Sequence, residues 1–260
     1  MLQLPDFTHP GWFALTVLVL LMIITGRYFL VAGLFHCIFY VWFREKWQQH
    51  KLHQRPYSRK QFLREVKYSV ITGAIFSLAG AGTLVLWQEG YTQVYTDVFA
   101  YGLWYLPVSF LLSLLIHETY YYWIHRWMHR PRIFRWVHKV HHDSNITSPW
   151  TAFSFHPLEG VLQAVILPLI LMVVPLHPYI ILAQLVFMSI SSVINHLEIE
   201  IFPTWFYRHP VGRWLIGATH HSMHHKQFKY NYGLYFTFLD KLHKTESPAY
   251  GSKKLEIKHT

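Results

Sequence analysis

The chain has 260 residues, of which 52% are hydrophobic, 18% aromatic and 14% charged. This composition is too apolar for a disordered chain, and the length is sufficient for one sizeable domain. The formal net charge is +10, but long apolar segments separate the basic residues and no nucleic-acid motif is recognisable, so nucleic acid is not an expected partner. With one cysteine, Cys37, the chain can form neither an internal disulfide nor a thiolate metal cluster. Any metal must therefore be held by nitrogen and oxygen ligands.

The first apolar segment covers residues 11–43. As a helix it would be about 50 Å long, against about 30 Å for the hydrocarbon core of a bilayer. One long tilted helix and two short passes around Gly26 and Arg27 both fit this length. Residues 66–87 and 94–116 are predicted as a second and a third span, and the third leads directly into a histidine-rich region.

The orientation follows from the connecting loops. Residues 44–67 contain eight Lys or Arg, whereas residues 88–97 contain none. The positive-inside rule therefore places the first loop, and the histidine-rich region after the third span, on the cytoplasmic side. Residues 158–194 are apolar but interrupted by Pro168, Pro175 and Pro178, which predicts a helical hairpin that dips into the bilayer or crosses it and returns.

These segments predict an all-α, integral membrane helical bundle with about four membrane-embedded segments and a cytoplasmic histidine-rich metal cap. Three regions are expected. Residues 1–100 would hold the first spans and the basic loop, residues 101–245 a catalytic domain, and residues 246–260 a polar, loosely held tail.

Three histidine boxes dominate the chain: HRWMH at 125–129, HKVHH at 138–142 and HSMHH at 221–225. On helices, the i, i+3 and i+4 spacings would put the histidines of each box on one face. His196 follows the apolar hairpin at the membrane surface and is a further candidate. The predicted metal ligands are His125, His129, His138, His141, His142, His196, His221, His224 and His225.

This number of ligands exceeds the three or four that one zinc ion takes and suits a two-metal centre. The Glu-x-x-His motif of carboxylate-bridged di-iron bundles does not occur at Glu118, Glu159 or Glu198, which are followed three residues later by Tyr121, Leu162 and Ile201. His156, His220, Glu118 and Asn195 are further candidate ligands or partners of ligands, and Asp143, Glu198 and Asp240 are candidates to orient imidazole N–H groups. Candidate walls of a substrate site are Trp104, Tyr105, Trp123 and Phe153.

The region from about residue 116 to 245 resembles the fatty acid hydroxylase/sterol desaturase superfamily of membrane di-iron oxidoreductases. The resemblance rests on YYWIHRWMHR (121–130), HKVHH, FSFHPLEGVLQ (153–163), His196, ATHHSMHH (218–225) and NYGLYFTFLDKL (231–242). In order and spacing the boxes most resemble the sterol C5-desaturase branch. Two departures stand out: Glu118 where relatives often have Asp, and LEIE after His196 where the sterol enzymes have a glycine-containing acidic turn.

The resemblance implies two iron ions, with O2 as co-substrate, and oxidation of an unactivated C–H bond of a lipid to a hydroxyl or a double bond. It leaves open which of these two forms, and whether the lipid is a sterol, another isoprenoid, a fatty acyl group or an ether lipid. Zinc can replace iron in a purified sample, since it binds nitrogen sites more tightly. The sequence has no dinucleotide, haem or iron–sulfur motif, so a separate cytochrome b5-type or ferredoxin-type donor with its reductase is expected. The membrane would be the endoplasmic reticulum or a bacterial inner membrane.

Two other classes of protein fit parts of the pattern. A histidine-rich metal transporter would carry ligands along its spans, but residues 66–116 contain no histidine. A dinuclear zinc hydrolase would have bridging carboxylates, and the three boxes contain none.

Overall fold

Helices make up the regular structure of the chain in the computed structural model, which describes residues 5–54 and 57–250. Within these residues, β-pairing is limited to isolated bridges. The helices are α1 Pro10–His36, α2 Arg44–Trp47, α3 Arg59–Gln88, α4 Tyr105–Met128, α5 Pro131–Val137, α6 Lys139–His142, α7 Pro157–Ala164, α8 Ile166–Val173, α9 Pro178–Asn195, α10 Ala218–Gln227 and α11 Phe238–Leu242.

Three of the helices are long and apolar enough to cross a membrane. They are α1 with its π-helical extension Cys37–Trp42, then α3 and α9; α7 and α8 form a shorter apolar pair. The first apolar segment is therefore one continuous helix, and the proline-broken hairpin is present as α7, α8 and α9. The prediction of an all-α integral membrane bundle is confirmed.

Small residues bring α1 and α3 together as antiparallel neighbours. A Cβ at Gly80 would come within 3.0 Å of Leu20 Cδ1, and one at Gly73 within 3.3 Å of Thr25 Oγ1. Glycine at these two positions allows the helix backbones to approach closely, as is common between helices in membranes.

The far end of α1 packs against the part of the chain that follows α9. The Tyr40 hydroxyl donates a hydrogen bond to the Leu197 carbonyl at 2.5 Å. Phe35 and Phe39 pack on the buried side chains of Leu197 and Ile199. Because α1 and its extension are longer than the hydrocarbon core, they reach the layer that contains the histidines.

The predicted third span is wrong in its first part. Its helix begins only at Tyr105, and it continues past residue 116 to Met128. Before it, Val94 pairs with Leu176, Asp97 accepts a hydrogen bond from the Phe99 N–H, and Gly102 has a φ of +75°. These turn contacts satisfy the backbone locally, so hydrophobicity alone does not make residues 94–104 helical.

The basic loop and the polar tail are more ordered than predicted. α2 lies inside the loop, and α3 begins at Arg59 with the Ser58 hydroxyl accepting from the Gln61 N–H; residues 55 and 56 lie outside the described part. The Ser247 N–H donates to Asn231 Oδ1 at 2.8 Å, so residues 246–250 are not a loose strip. Residues 251–260 of the predicted tail lie outside the described part, and the division at residues 100 and 245 stays a prediction.

Candidate metal centre

Four parts of the chain bring the histidines together. His125 and His129 lie at the end of α4, and Pro131 then starts α5, which turns the chain back so that α6 can present the second box. His196 ends α9, and α10 carries the third box. The sequence-distant boxes therefore meet on one side of the bundle.

A first set of five histidines, here called group one, comes from three of these parts: His125, His129, His138, His142 and His224. One nitrogen from each lies within 4.8 Å of all the others. Neighbouring Nε2 atoms are 3.1 Å apart in the pairs His125–His138, His138–His142, His142–His224 and His129–His224.

A second set, group two, consists of His141, His196, His221 and His225, all buried. Its Nε2 atoms are 3.2 Å apart between His141 and His196, 3.0 Å between His196 and His221, and 3.2 Å between His221 and His225. The groups adjoin each other, since the rings of His142 and His225 are 4.5 Å apart. All nine histidines that the sequence singled out as ligands thus fall into two adjacent clusters.

The second and third boxes are each divided between the two groups, so the expectation of one shared face per box is wrong. His141 and His142 are adjacent, their ring planes are at 90°, and they belong to different groups. His224 and His225 are divided in the same way, with ring planes at 88°. Successive helical residues are turned by about 100°, so adjacent histidines can serve two neighbouring sites.

The hydrogen bonds at Nδ1 show which ring nitrogens carry protons. Nδ1 faces a backbone carbonyl in His125 (Tyr232, 2.9 Å), His141 (Ser154, 3.3 Å), His196 (Ser192, 2.7 Å) and His224 (Tyr230, 2.7 Å). A carbonyl only accepts hydrogen bonds, so each of these Nδ1 atoms is the N–H donor and each Nε2 is a bare lone pair.

In both groups, bare Nε2 lone pairs then face each other. His141 and His196 are such a pair in group two, and His125 and His224 both point bare nitrogens into group one. Two lone pairs about 3 Å apart repel, and only a cation between them makes this arrangement favourable. The residues therefore fit bound metal ions, and the carbonyls fix the imidazoles in the orientation that a metal needs.

The number of nitrogens in group one favours an ion that takes more than four ligands. Group one offers five imidazole nitrogens, one more than a tetrahedral set, and group two offers four.

Burial keeps the histidines neutral, which is the form that binds a metal. It lowers the pKa of His196 to about 4 and holds the pKa values of His141 and His142 well below the usual range. The pKa values of His221, His224 and His225 are lowered in the same way, with burial as the largest cause and neighbouring histidines adding to it.

Four further candidates lie outside both groups. His156 is the N-cap of α7, where its Nδ1 accepts from the Leu158 N–H. Glu118 accepts from the Leu234 and Tyr235 N–H groups, and Asn195 donates to the Leu234 carbonyl. His220 is fully buried, and its Nε2 is 3.9 Å from Asp240 Oδ2.

The carboxylate that orients a group-one histidine is one that the sequence reasoning missed. Glu159 Oε1 accepts from His138 Nδ1 at 2.8 Å, and both side chains are fully buried. Asp143 instead pairs with Lys139, and Glu198 with Lys226, Thr147 and Ser222. One feature of the sequence could have indicated Glu159: it lies in the first turn of the helix that begins at Pro157, shortly after the second box.

Two of the four aromatic residues proposed as substrate walls lie far from the metal groups. Trp104 and Tyr105 are at the start of α4, twenty residues and so about 30 Å from His125. Trp123 is 48% exposed and packs on His243. Phe153 is buried and neighbours Phe155, whose ring is 5.2 Å from His141, so it lies near the histidines.

Comparison with known proteins identifies the family of the region that contains the histidines. The fatty acid hydroxylase family profile matches residues 110–245, which include both histidine groups. The chain is 32% identical to human lathosterol oxidase over 198 residues, covering 74% of this chain and 64% of that protein. It is 29% identical over 188 residues to a Delta(7)-sterol 5(6)-desaturase of Gibberella zeae, covering 72% of this chain and 57% of that protein.

The chain thus spans less than two thirds of the length of these relatives. No solved structure matches it. The match of the profile covers more than half of the 260 residues and contains every histidine of the two groups. The chain therefore belongs to the fatty acid hydroxylase family, and it is similar to the sterol 5(6)-desaturases within it.

Proposed function

We propose that this protein is a membrane-bound, O2-dependent lipid oxidoreductase whose two histidine groups each hold one iron ion. The observation that carries the proposal is the convergence of nine imidazoles into two adjacent clusters in which lone pairs face each other. When bound, the two ions supply the activation of O2 and the oxidation of an unactivated C–H bond. The product is a hydroxylated or a newly unsaturated lipid.

The chain itself supplies ligand placement and exclusion of water. Backbone carbonyls and Glu159 fix the ring orientation of five ligands, four through carbonyls and one through the carboxylate. Every histidine of the two groups except His129 is buried, so bulk water does not compete for the positions around the metals. Phe153 and Phe155 lie beside His141 in a buried apolar cluster, which keeps this side of the centre free of polar groups.

The substrate and partners follow from the relatives. The names of the curated relatives describe oxidation of Δ7-sterols, so we propose a sterol or a related isoprenoid as the first substrate class to test, with fatty acyl and ether lipids as further ones. The electrons would come from a separate cytochrome b5-type or ferredoxin-type protein with its reductase. The metal centre would face the cytoplasm, in the endoplasmic reticulum or a bacterial inner membrane, because the positive-inside rule predicts that side for the basic residues of the 44–67 segment.

A dinuclear zinc hydrolase is less well supported. Such a site uses carboxylates that bridge its two metals, and neither histidine group contains a carboxylate among the described residues. A metal transporter is disfavoured because both groups lie together at one end of the bundle rather than along a path through it.

The test begins with metal content per chain, measured on protein from iron-supplemented cells. We expect two ions in the wild type and a sharp loss in the His141→Ala/His224→Ala double variant, which removes one ligand from each group. His156→Ala is the matched control, since it removes a histidine outside both groups. Metal content that is the same in all three proteins would contradict the proposal.

The second step measures the reaction. Metal-loaded protein with a chemical or protein electron donor should consume O2 and convert a Δ7-sterol into a product that has gained one oxygen atom or lost two hydrogen atoms, as read by mass spectrometry. Metal binding without O2 consumption on any of the lipid classes would favour a non-redox role.

A further inference from the structure

Two histidines of group one lack the polar partner that orients the other three. His125, His138 and His224 are each bonded at Nδ1 to a carbonyl or a carboxylate. Among the described residues, His142 Nδ1 is buried without a hydrogen-bond partner, and the side chain of His129 bonds only through Nε2. An imidazole without a partner at Nδ1 can turn about its Cβ–Cγ bond unless packing prevents it.

Two phenylalanine rings pack on these two histidines. The centre of the Phe228 ring is 4.8 Å from that of His142 and 6.4 Å from that of His129. The Phe134 ring is 5.5 Å from both, and the two phenyl rings are 5.7 Å apart. The four rings therefore form one cluster, which lies where group one comes closest to solvent, since His129 is half-buried and Phe228 is 37% exposed.

The backbone of Phe228 is strained. It has a φ of +63° and lies in the left-handed region at the C-terminal end of α10. Glycine usually occupies this position of a helix, and a bulky side chain there is an outlier. Glycine would remove the strain, because it adopts a positive φ without a steric cost. Strain of this kind is typical of functional sites, and the Phe228 side chain reaches the histidines of one.

We propose that Phe228 and Phe134 are positioning residues that hold His142 and His129 in the orientation needed by a metal ion in group one. Ring packing here takes the place of the hydrogen bond at Nδ1. The inference rests on the metal-binding part of the proposed function and is independent of the reaction. Removal of the Phe228 ring should therefore weaken metal binding in group one even though it relieves strain in the backbone.

The test uses two backgrounds of the full chain that each retain one group. His141→Ala/His196→Ala disables group two, and His125→Ala/His138→Ala disables group one. Zinc is the probe, and its affinity is measured by competition with a series of chelators, so the measurement does not depend on turnover. Each further substitution is then made in both backgrounds.

Phe228→Gly should lower the zinc affinity of group one about tenfold, the scale of losing a partner that orients a ligand, and leave that of group two unchanged. Phe228→Tyr keeps the ring and should retain the affinity. Lys244→Gly is the matched control, because Lys244 also has a left-handed φ, +56°, but is exposed and lies outside both groups. It should not change the affinity of either group.

The stability of the metal-free protein separates positioning from a purely structural role. Phe228→Gly should unfold at no lower urea concentration than its parent, because relief of the backbone strain offsets the lost contacts. Earlier unfolding would assign any loss of affinity to destabilisation and would overturn the positioning role.

Three further outcomes would overturn the proposal: an unchanged zinc affinity of group one in Phe228→Gly, an equal loss in Lys244→Gly, or an equal loss in both backgrounds. Absence of zinc binding in both backgrounds before any change at Phe228 would overturn the proposed function and this inference with it. Zinc binding in both backgrounds that is indifferent to the Phe228 ring would overturn only the inference.

Discussion

Among the described residues, Glu159 is the only carboxylate within hydrogen-bond distance of a histidine of either metal group. Its removal tests how much this hydrogen bond contributes to metal affinity. Its bond to His138 Nδ1 is 2.8 Å long and joins two fully buried side chains. A hydrogen bond to a charged group contributes about 1.5 to 3 kcal/mol, and loss of such a contact behind a metal ligand lowers metal affinity by about tenfold to a hundredfold. The lesion should weaken metal binding in group one more than in group two.

Two substitutions separate the charge from the hydrogen bond. Glu159→Gln can still accept from His138 through its amide oxygen, so we expect a loss near tenfold, whereas Glu159→Leu loses both and should approach a hundredfold. The assay is competition for the bound metal against a series of chelators. Glu65→Gln is the control, because Glu65 is equally buried but bonds only to Tyr57, Gln61 and hydroxyl groups.

The reasoning would be refuted by a Glu159→Gln protein with unchanged metal affinity in both groups. It would also fail if Glu65→Gln weakened metal binding to the same degree, since the effect would then reflect buried charge in general.

Four further predictions concern the same centre and its support. His141→Ala and His142→Ala, although adjacent, should each reduce the metal content from two ions to one, and the combined variant should lose both. Cobalt-substituted protein should show the weak absorption of five or six ligands rather than the intense bands of a tetrahedral site. Burial lowers the pKa of His196 to about 4, so below about pH 6.5 the unfolded metal-free chain binds more protons at this residue than the folded chain does. Acidification to about pH 5 should therefore lower the free energy of unfolding, measured in urea, by about 2 kcal/mol from this residue alone. Tyr40→Phe removes the hydrogen bond to the Leu197 carbonyl and should lower the free energy of unfolding by about 1 kcal/mol, with metal content unchanged.

Much of the centre could be predicted from the sequence because its signals are local. Histidines at i, i+3 and i+4 between apolar spans are improbable without a metal, and all nine predicted residues lie in the two groups. The division of the second and third boxes between the groups was not predictable, because spacing gives the angle between side chains but not which neighbouring helix each side chain faces. That depends on how α4, α6 and α10 pack, which is a tertiary property.

Two further positions depend on tertiary packing in the same way. Trp104 and Tyr105 precede a histidine-bearing helix in sequence, but one unbroken helix separates them from His125 by about 30 Å. Glu159 was overlooked because the helix that carries it comes back toward His138 only through the α5–α7 packing. The division of the chain at residues 100 and 245 stays a prediction, and the hydrogen bond from Tyr40 to Leu197 joins two of its regions.

The sharing of α10 between the two histidine groups has a consequence for assembly of the centre. His224 serves group one, while His221 and His225 serve group two, all within little more than one turn of one helix. An ion bound by His224 fixes the rotation of this helix about its axis, and that rotation also sets the positions of the other two rings. The conformational entropy lost in fixing this helix is lost when the first ion binds and not again when the second does, so the second ion should bind more tightly than the first. Loading is therefore expected to be cooperative, and a preparation with one ion per chain on average should be a mixture of empty and fully loaded molecules.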